Sequence, residues 1–259
     1  MSEKKRTVGI AMPVFNESDG IATTLLAIDK VLIDNDFAVE LFLQDDCSTD
    51  QTLKIIEDLT PRLKMAIYIE CNESNQGHGP TTFNAYQRAA SSENAIILQL
   101  DSDGQFEPKE LPTLIDAVDV QHQVAMGVRV ARTDPWFRKA LTSFLSTYLR
   151  LSFKCKIGDP NSPIRAYKRE ILIGLLKDLP HKPLVPNIYL TILANNKQLK
   201  VRETEVSHKV REGSSATGTM WRSGRSINFL IPKRLIIFSF KAVFELRQFK
   251  NSQICEKVT

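Results

Sequence analysis

Ala95-Ile96-Ile97-Leu98-Gln99-Leu100-Asp101-Ser102-Asp103-Gly104-Gln105 runs from a mostly apolar, strand-length segment directly into a turn carrying two carboxylates. The apolar run reads as a strand covered on both faces, the pattern of a sheet with helices packed on either side. Two acids at the carboxyl end of such a strand can hold a hard divalent cation against a diphosphate. The same residues also suit a plain turn in which Asp103 caps a helix beginning near Pro108.

Working outward, further strand-length runs occur at Val8-Gly-Ile-Ala-Met-Pro-Val14, Val39-Glu-Leu-Phe-Leu43, Met65-Ala-Ile-Tyr-Ile69 and Val124-Ala-Met126. Helical patterns lie between them, clearest at Ile21, Leu25, Ile28 and Leu32, after Ser18 as a candidate cap. Strands alternating with helices predict an α/β fold with a mainly parallel central sheet and helices on both faces. Polar turns follow these strands at Asn16-Glu17, Asp45-Asp46 and Asp101 to Gln105, so topology brings them to one edge. Adjacent acids at Asp45 and Asp46 are more than one helix cap needs, whereas Ser48 and Asp50 suit capping.

Beyond Arg132 the pattern changes to a helix over Trp136–Phe153, a polar turn over Lys156–Pro163, a helix around Leu184–Ala194 and a strand over Lys200–Val206. A Gly- and Ser-rich stretch, His208-Lys-Val-Arg-Glu-Gly-Ser-Ser215, follows, readable as a phosphate flap or as a surface loop. Lys233 to Lys250 reads as a basic amphipathic helix, either a surface anchor on a membrane or a helix packed on the domain or a partner.

With 259 residues, 42% hydrophobic and 25% charged, the chain is large enough for one substantial core. The net charge of +4 is too small to demand nucleic acid as a partner. Four scattered cysteines without a Cys-x-x-Cys pair suggest neither zinc nor a disulfide framework and fit a reducing cytoplasm. The charged start, Met1-Ser-Glu-Lys-Lys-Arg6, lacks the apolar core of a signal peptide. No segment approaches the ~20 apolar residues of a membrane span.

Asn75-Gln-Gly-His-Gly-Pro80 precedes a helix; its glycines allow either a phosphate approach or a simple turn, and His78 alone reads as a loop histidine. Arg129, Arg138, Arg165 and Arg211 each stand beside a turn or helix end. Singly they read as solvated arginines; with the acidic turns they suit a nucleotide diphosphate between a metal and guanidinium groups.

The ordered series Pro13-Val-Phe-Asn-Glu17, Asp45-Asp46-x-Ser48-x-Asp50, Asn75-x-Gly77-x-Gly79, Asp101-x-Asp103-Gly-Gln105, Gly127-x-Arg129 and Asp159-Pro-Asn-Ser-Pro-Ile-Arg165 resembles the family 2 glycosyltransferases with a GT-A fold. Within that family it is most similar to the dolichyl-phosphate mannose synthase and polyprenyl-phosphate glycosyltransferase group. The resemblance implies that Pro13, Phe15, Glu17, Asp45 and Asp46 meet the base and ribose of a nucleotide sugar. It implies that Asp101, Asp103 and Gln105 hold Mg²⁺ or Mn²⁺ on the diphosphate, with Ser102 in the same turn, and that Arg129, Arg138 and Arg211 face phosphates. It further implies a metal-dependent, inverting transfer, either to a polyprenyl phosphate at the cytoplasmic membrane face or, as a soluble enzyme, to a glycan hydroxyl; a binding protein without turnover is the third reading. A hydroxyl acceptor needs a general base, for which Asp159 and His208 are the candidates. The group often carries a Lys beyond the flap arginine; here Arg211-Glu-Gly-Ser-Ser215 lacks it, leaving Arg222 or Arg225 as substitutes. The expected organisation is one domain over 1–225, with a nucleotide-sugar half to about 130 and an acceptor half beyond it, then the basic helix within 226–259.

Overall fold

The central strands alternate the face on which each side chain is buried, and this alternation builds two cores. The computed structural model describes residues 5–130, 136–155, 157–207, 209 and 233–255, and the side chains of all of these except 136–142, 233–236 and 253–255. Val8, Ile10 and Met12 of β1 (Thr7–Val14) pack on one face of the sheet with Leu98 of β4 (Ile96–Gln99) and with Ile21, Leu25, Ile28 and Leu32 of α1 (Ile21–Asp34). The same core takes Ile56 of α2 (Thr52–Leu59) and Leu114 of α4 (Leu111–Asp116). Ala11 and Ile97 point the other way, toward Tyr86 of α3 (His78–Ser91), Leu149 of α5 (Trp136–Phe153), Leu172 of α6 (Arg169–Leu176), Ile188 of α7 (Pro186–Asn196) and Leu246 of α8 (Lys233–Cys255). A sheet covered by helices on both faces is thus present, as its apolar strands predict.

The remaining strands are β2 (Ala38–Asp45), β3 (Ala66–Cys71), β5 (Val124–Val130), β6 (Arg165–Lys168) and β7 (Val201–Ser207). The seven strands lie in the order β3-β2-β1-β4-β6-β5-β7, all parallel except β6, which runs antiparallel to both β4 and β5. Strand β6 is the strand that the apolar pattern does not disclose, because it is only four residues long and one of its three buried residues is charged, Arg165 beside Ala166 and Tyr167.

Ser18 does not cap α1. The helix begins after Gly20 without a side-chain cap, and the Ser18 peptide N–H instead donates to Asp50 Oδ2 at 3.2 Å. Helix α8 packs on the domain: Ala242, Leu246 and Phe249 are buried in the second core. Its Glu245 carboxylate accepts from Tyr189 Oη at 2.8 Å and from the Leu184 N–H at 3.1 Å.

Candidate active site

Parallel alignment places the carboxyl ends of β1, β2, β3, β4, β5 and β7 along one sheet edge, together with the amino end of antiparallel β6. From β1 the chain steps outward to β2 and β3, then returns to place β4 on the other side of β1. The reversal opens a crevice beyond the ends of β1 and β4, the place where open α/β sheets bind ligands.

The β1 and β2 turns are laced together. Asn16 and Cys47 adopt left-handed backbone (φ 51° and 64°), a conformation non-glycine residues hold only when their surroundings enforce it. The enforcing bonds run from Asn16 N to Ser48 Oγ (2.9 Å), Thr49 N to Asn16 Oδ1 (2.8 Å) and Glu17 N to Thr52 Oγ1 (2.8 Å). Asp45 is wholly buried and accepts from the Ser48 N–H (2.8 Å) and hydroxyl. Asp46 accepts from Asn72 Nδ2 (2.8 Å) and from the N–H groups of Gln76 (2.7 Å) and Gly77 (2.9 Å). Both acids, expected to meet the nucleotide, also spend carboxylate oxygens shaping the loops at the crevice. Pro13 is buried near the crevice end of β1, opposite Gln44. Glu17 is buried at the crevice end of β1 and Phe15 is half-buried beside it. Asp50 stands one residue before Gln51, the N-cap of α2, and its Oδ1 accepts from the Thr52 N–H at 2.9 Å, bracing the turn that leads into the helix. Burial opposes its ionisation, but the bonds from Thr52 and Ser18 outweigh this and hold its pKa below the ordinary value.

In the β4 turn, Asp103 Oδ1 accepts from the Gln105 N–H at 3.1 Å. Asp103 closes this local turn, while the helical segment farther on starts at Pro108 without a side-chain cap. Gly104 sits at φ 66°, where a side chain would be strained. Asp101 Oδ1 accepts from Gln99 Nε2 at 2.9 Å, and His78 Nε2 lies 3.7 Å away. His78, which reads as a plain loop histidine in the sequence, therefore faces the acidic turn. Ser102 is buried and Gln105 Nε2 donates to the Lys209 carbonyl at 3.2 Å, while Lys209 N donates to the Gln105 carbonyl at 3.1 Å. The chain leaving β7 is thereby joined to the acidic turn.

Among the described residues no cluster of three or more His, Cys, Asp or Glu side chains is placed to hold a metal. Two carboxylates on one turn nevertheless fit Mg²⁺ or Mn²⁺, hard ions that take one or two carboxylates and complete their shell with substrate phosphate and water. The donor set suits an ion that arrives with a diphosphate.

Across the crevice Arg129, at the end of β5, grips Asp159 in a two-pronged pair: Nε to Oδ2 at 2.7 Å and Nη2 to Oδ1 at 3.1 Å. Both are largely buried. Asp159, the expected base candidate, is thus engaged with Arg129 and orients it. Gly79 also differs from the phosphate reading: a Cβ there would meet the Leu184 carbonyl oxygen at 2.1 Å, so the glycine permits close backbone packing. Arg138 lies on α5, its side chain outside the described residues; His208, Arg211, Arg222 and Arg225 also lie outside them.

The model of glycosyl transferase family 2 matches residues 9–176, which span β1 through α6 and so every strand-end turn of this crevice except the β7 end. The chain belongs to glycosyl transferase family 2. This family 2 chain is 27% identical over 210 residues to the undecaprenyl-phosphate 4-deoxy-4-formamido-L-arabinose transferase of Proteus mirabilis (strain HI4320), covering 81% of this chain and 62% of that protein. It is 28% identical over 207 residues to the enzyme of the same name from Enterobacter sp. (strain 638), covering 79% and 60%. It therefore spans less than two thirds of the length of these relatives. Among solved structures, glucosyl-3-phosphoglycerate synthase from Mycobacterium tuberculosis in complex with Mn²⁺ and uridine-diphosphate-glucose superposes with a TM-score of 0.64 at 18% identity, covering 95% of this chain and 79% of that one. The family 2 chain shares the GT-A-like fold.

Proposed function

We propose that this protein transfers a sugar, with inversion at the anomeric carbon, from a nucleoside-diphosphate sugar to a polyprenyl phosphate at the cytoplasmic face of a membrane. The observation that carries the reading is the meeting, at one crevice, of the Asp101/Asp103 turn with the Arg129–Asp159 pair. Donor and acceptor both bring phosphate, and the site offers acidic metal ligands on one side and a guanidinium on the other. The relatives' names, which specify undecaprenyl phosphate, support the acceptor class.

Asp101 and Asp103 are assigned as ligands of Mg²⁺ or Mn²⁺, with Gln105 completing the turn beneath them. When bound, the metal supplies Lewis-acid stabilisation of the charge that builds on the departing diphosphate. Arg129, held in direction by Asp159, adds a fixed positive charge that needs no rearrangement during transfer. Glu17 and Phe15 line the end of β1 where the nucleoside is expected. An acceptor phosphate is already anionic near neutral pH, so transfer to it requires no general base, consistent with an Asp159 engaged by Arg129.

Ile237, Phe240 and Phe244 are exposed along α8, with Phe144 and Leu151 exposed on α5, and exposed Lys241 and Arg247 lie on α8. This apolar and basic surface is assigned as the peripheral membrane contact. Among the described residues no helix is long and apolar enough to cross a membrane.

The test is Asp103→Ala. Metal-dependent transfer is expected to fall by about 10²-fold or more, the scale of losing one pre-set electrostatic contact to the transition state, with an unchanged unfolding transition. Unaltered turnover removes the assigned metal role.

A further inference from the structure

Asp101 is not steered by its neighbours in sequence alone. A chain of buried side chains leads from it across the sheet to the turn that carries Asp159. Gln99 Nε2 donates to Asp101 Oδ1 (2.9 Å), and Gln99 Oε1 accepts from Asn187 Nδ2 (3.2 Å). Asn187 Nδ2 also donates to the Ser162 carbonyl (3.2 Å), and Asn187 Oδ1 accepts from Tyr86 Oη (2.8 Å). Gln99, Asn187, Tyr86 and Ser162 are all at most 5% exposed.

The orientations follow from one fixed point. A peptide carbonyl can only accept, so Ser162 O compels the Asn187 amide to present its nitrogen. That nitrogen presents its second hydrogen to Gln99, so the Gln99 oxygen turns toward Asn187 and the Gln99 nitrogen is left to face Asp101. The Ser162 carbonyl is itself pinned by Arg165, a wholly buried guanidinium whose Nε donates to it at 2.7 Å. Arg165 Nη2 donates to the Pro160 carbonyl (2.6 Å), and Nη1 donates to the Asn187 carbonyl (2.9 Å) and Thr191 Oγ1 (2.8 Å). Among the described residues Arg165 forms no ion pair; its charge is spent on clamping the turn at 160–162.

We infer that Asn187 is a positioning residue for the metal site: through Gln99 it sets the direction of the Asp101 carboxylate and couples it to the Arg165-clamped turn across the crevice. The inference rests on the assignment of Asp101 as a metal ligand. A partner behind a ligating carboxylate fixes the ligand's direction and its basicity, and its loss weakens metal binding. Asn187→Asp removes the nitrogen that orders the chain. Gln99 then turns its own nitrogen toward the new carboxylate and presents its oxygen to Asp101, replacing a donor by a repelling acceptor. Gln99→Glu places a carboxylate oxygen against Asp101 without touching Asn187.

The test measures Mn²⁺ binding by electron paramagnetic resonance, with Mn²⁺ alone and with UDP present, beside thermal unfolding of the same variants. Asn187→Asp and Gln99→Glu are expected to bind Mn²⁺ about tenfold or more weakly than the unaltered protein. Tyr86→Phe, which removes the bond to Asn187 Oδ1 and a longer one to Gln99 Oε1 (3.4 Å) but leaves the Ser162 carbonyl to orient Asn187, is expected to lower the unfolding temperature and keep Mn²⁺ affinity within about twofold. If Asn187→Asp does not fold, Gln99→Glu decides the question. Mn²⁺ affinity unchanged in Gln99→Glu, or in a folded Asn187→Asp, while Asp101→Asn loses it, overturns the positioning role. Mn²⁺ affinity unchanged in Asp101→Asn, or no Mn²⁺ binding by the unaltered protein, overturns the metal assignment itself.

Discussion

Each acid at the crevice is assigned its task by what lies against it, and Asp50 shows this with a measurable consequence. Its oxygens take the N–H groups of Thr52 and Ser18, and its pKa is lowered. A carboxylate whose folded value lies below the unfolded one, about 3.9, contributes stability that is complete above that pH and lost as pH falls through the folded value. Asp50→Ala is therefore expected to lose about 1 kcal/mol near neutral pH. In urea unfolding from about pH 7 down to about pH 3, the gap between the two proteins should narrow; parallel curves would show that the carboxylate's charge contributes nothing. At this scale the sequence is half legible. Asp101, Asp103 and Asp50 can be read from their position after strands, because the turn chemistry is local. The loop-bracing bonds of Asp46 cannot, because they come from a pair of peptide N–H groups about thirty residues onward, at Gln76 and Gly77.

Among the elements, α8 has two apolar faces with different duties. Ala242, Leu246 and Phe249 enter the core, the Phe249 ring standing edge-on to Tyr189 at 4.8 Å, while Ile237, Phe240 and Phe244 stay outside. Leu246→Ala is expected to destabilise the fold by about 2–5 kcal/mol, the cost of a cavity in a packed core. Exchanging both Phe240 and Phe244 for Ser should change stability by no more than about 0.5 kcal/mol each and abolish co-sedimentation with anionic phospholipid vesicles. Retained vesicle binding by the double variant would place the membrane contact elsewhere. The helical spacing from Lys233 makes this helix readable in sequence, but not which apolar residues turn inward. Strand β6 is unreadable for the opposite reason: four residues after a Pro-rich turn carry a buried arginine, and only the carbonyls of Pro160, Ser162 and Asn187 explain why that charge is tolerated there.

At the scale of the molecule, one sheet edge brings together the ends of all seven strands, and the reversal between β1 and β4 opens the crevice proposed to take the nucleotide diphosphate. The alternation of apolar runs makes this edge legible through β5. The opposing wall is less so, since it depends on an antiparallel strand inserted between β4 and β5 and on the long-range pair Arg129–Asp159. The proposed activity stands or falls with its acceptor. Purified protein is incubated with Mn²⁺, radiolabelled UDP- and GDP-linked sugars and undecaprenyl phosphate in vesicles, and the products are partitioned between organic and aqueous phases. A sugar label that enters the organic phase, requires both Mn²⁺ and the lipid phosphate, and disappears in Asp103→Ala is the predicted result; label transferred only to water-soluble glycan, with none in the lipid phase, would contradict it.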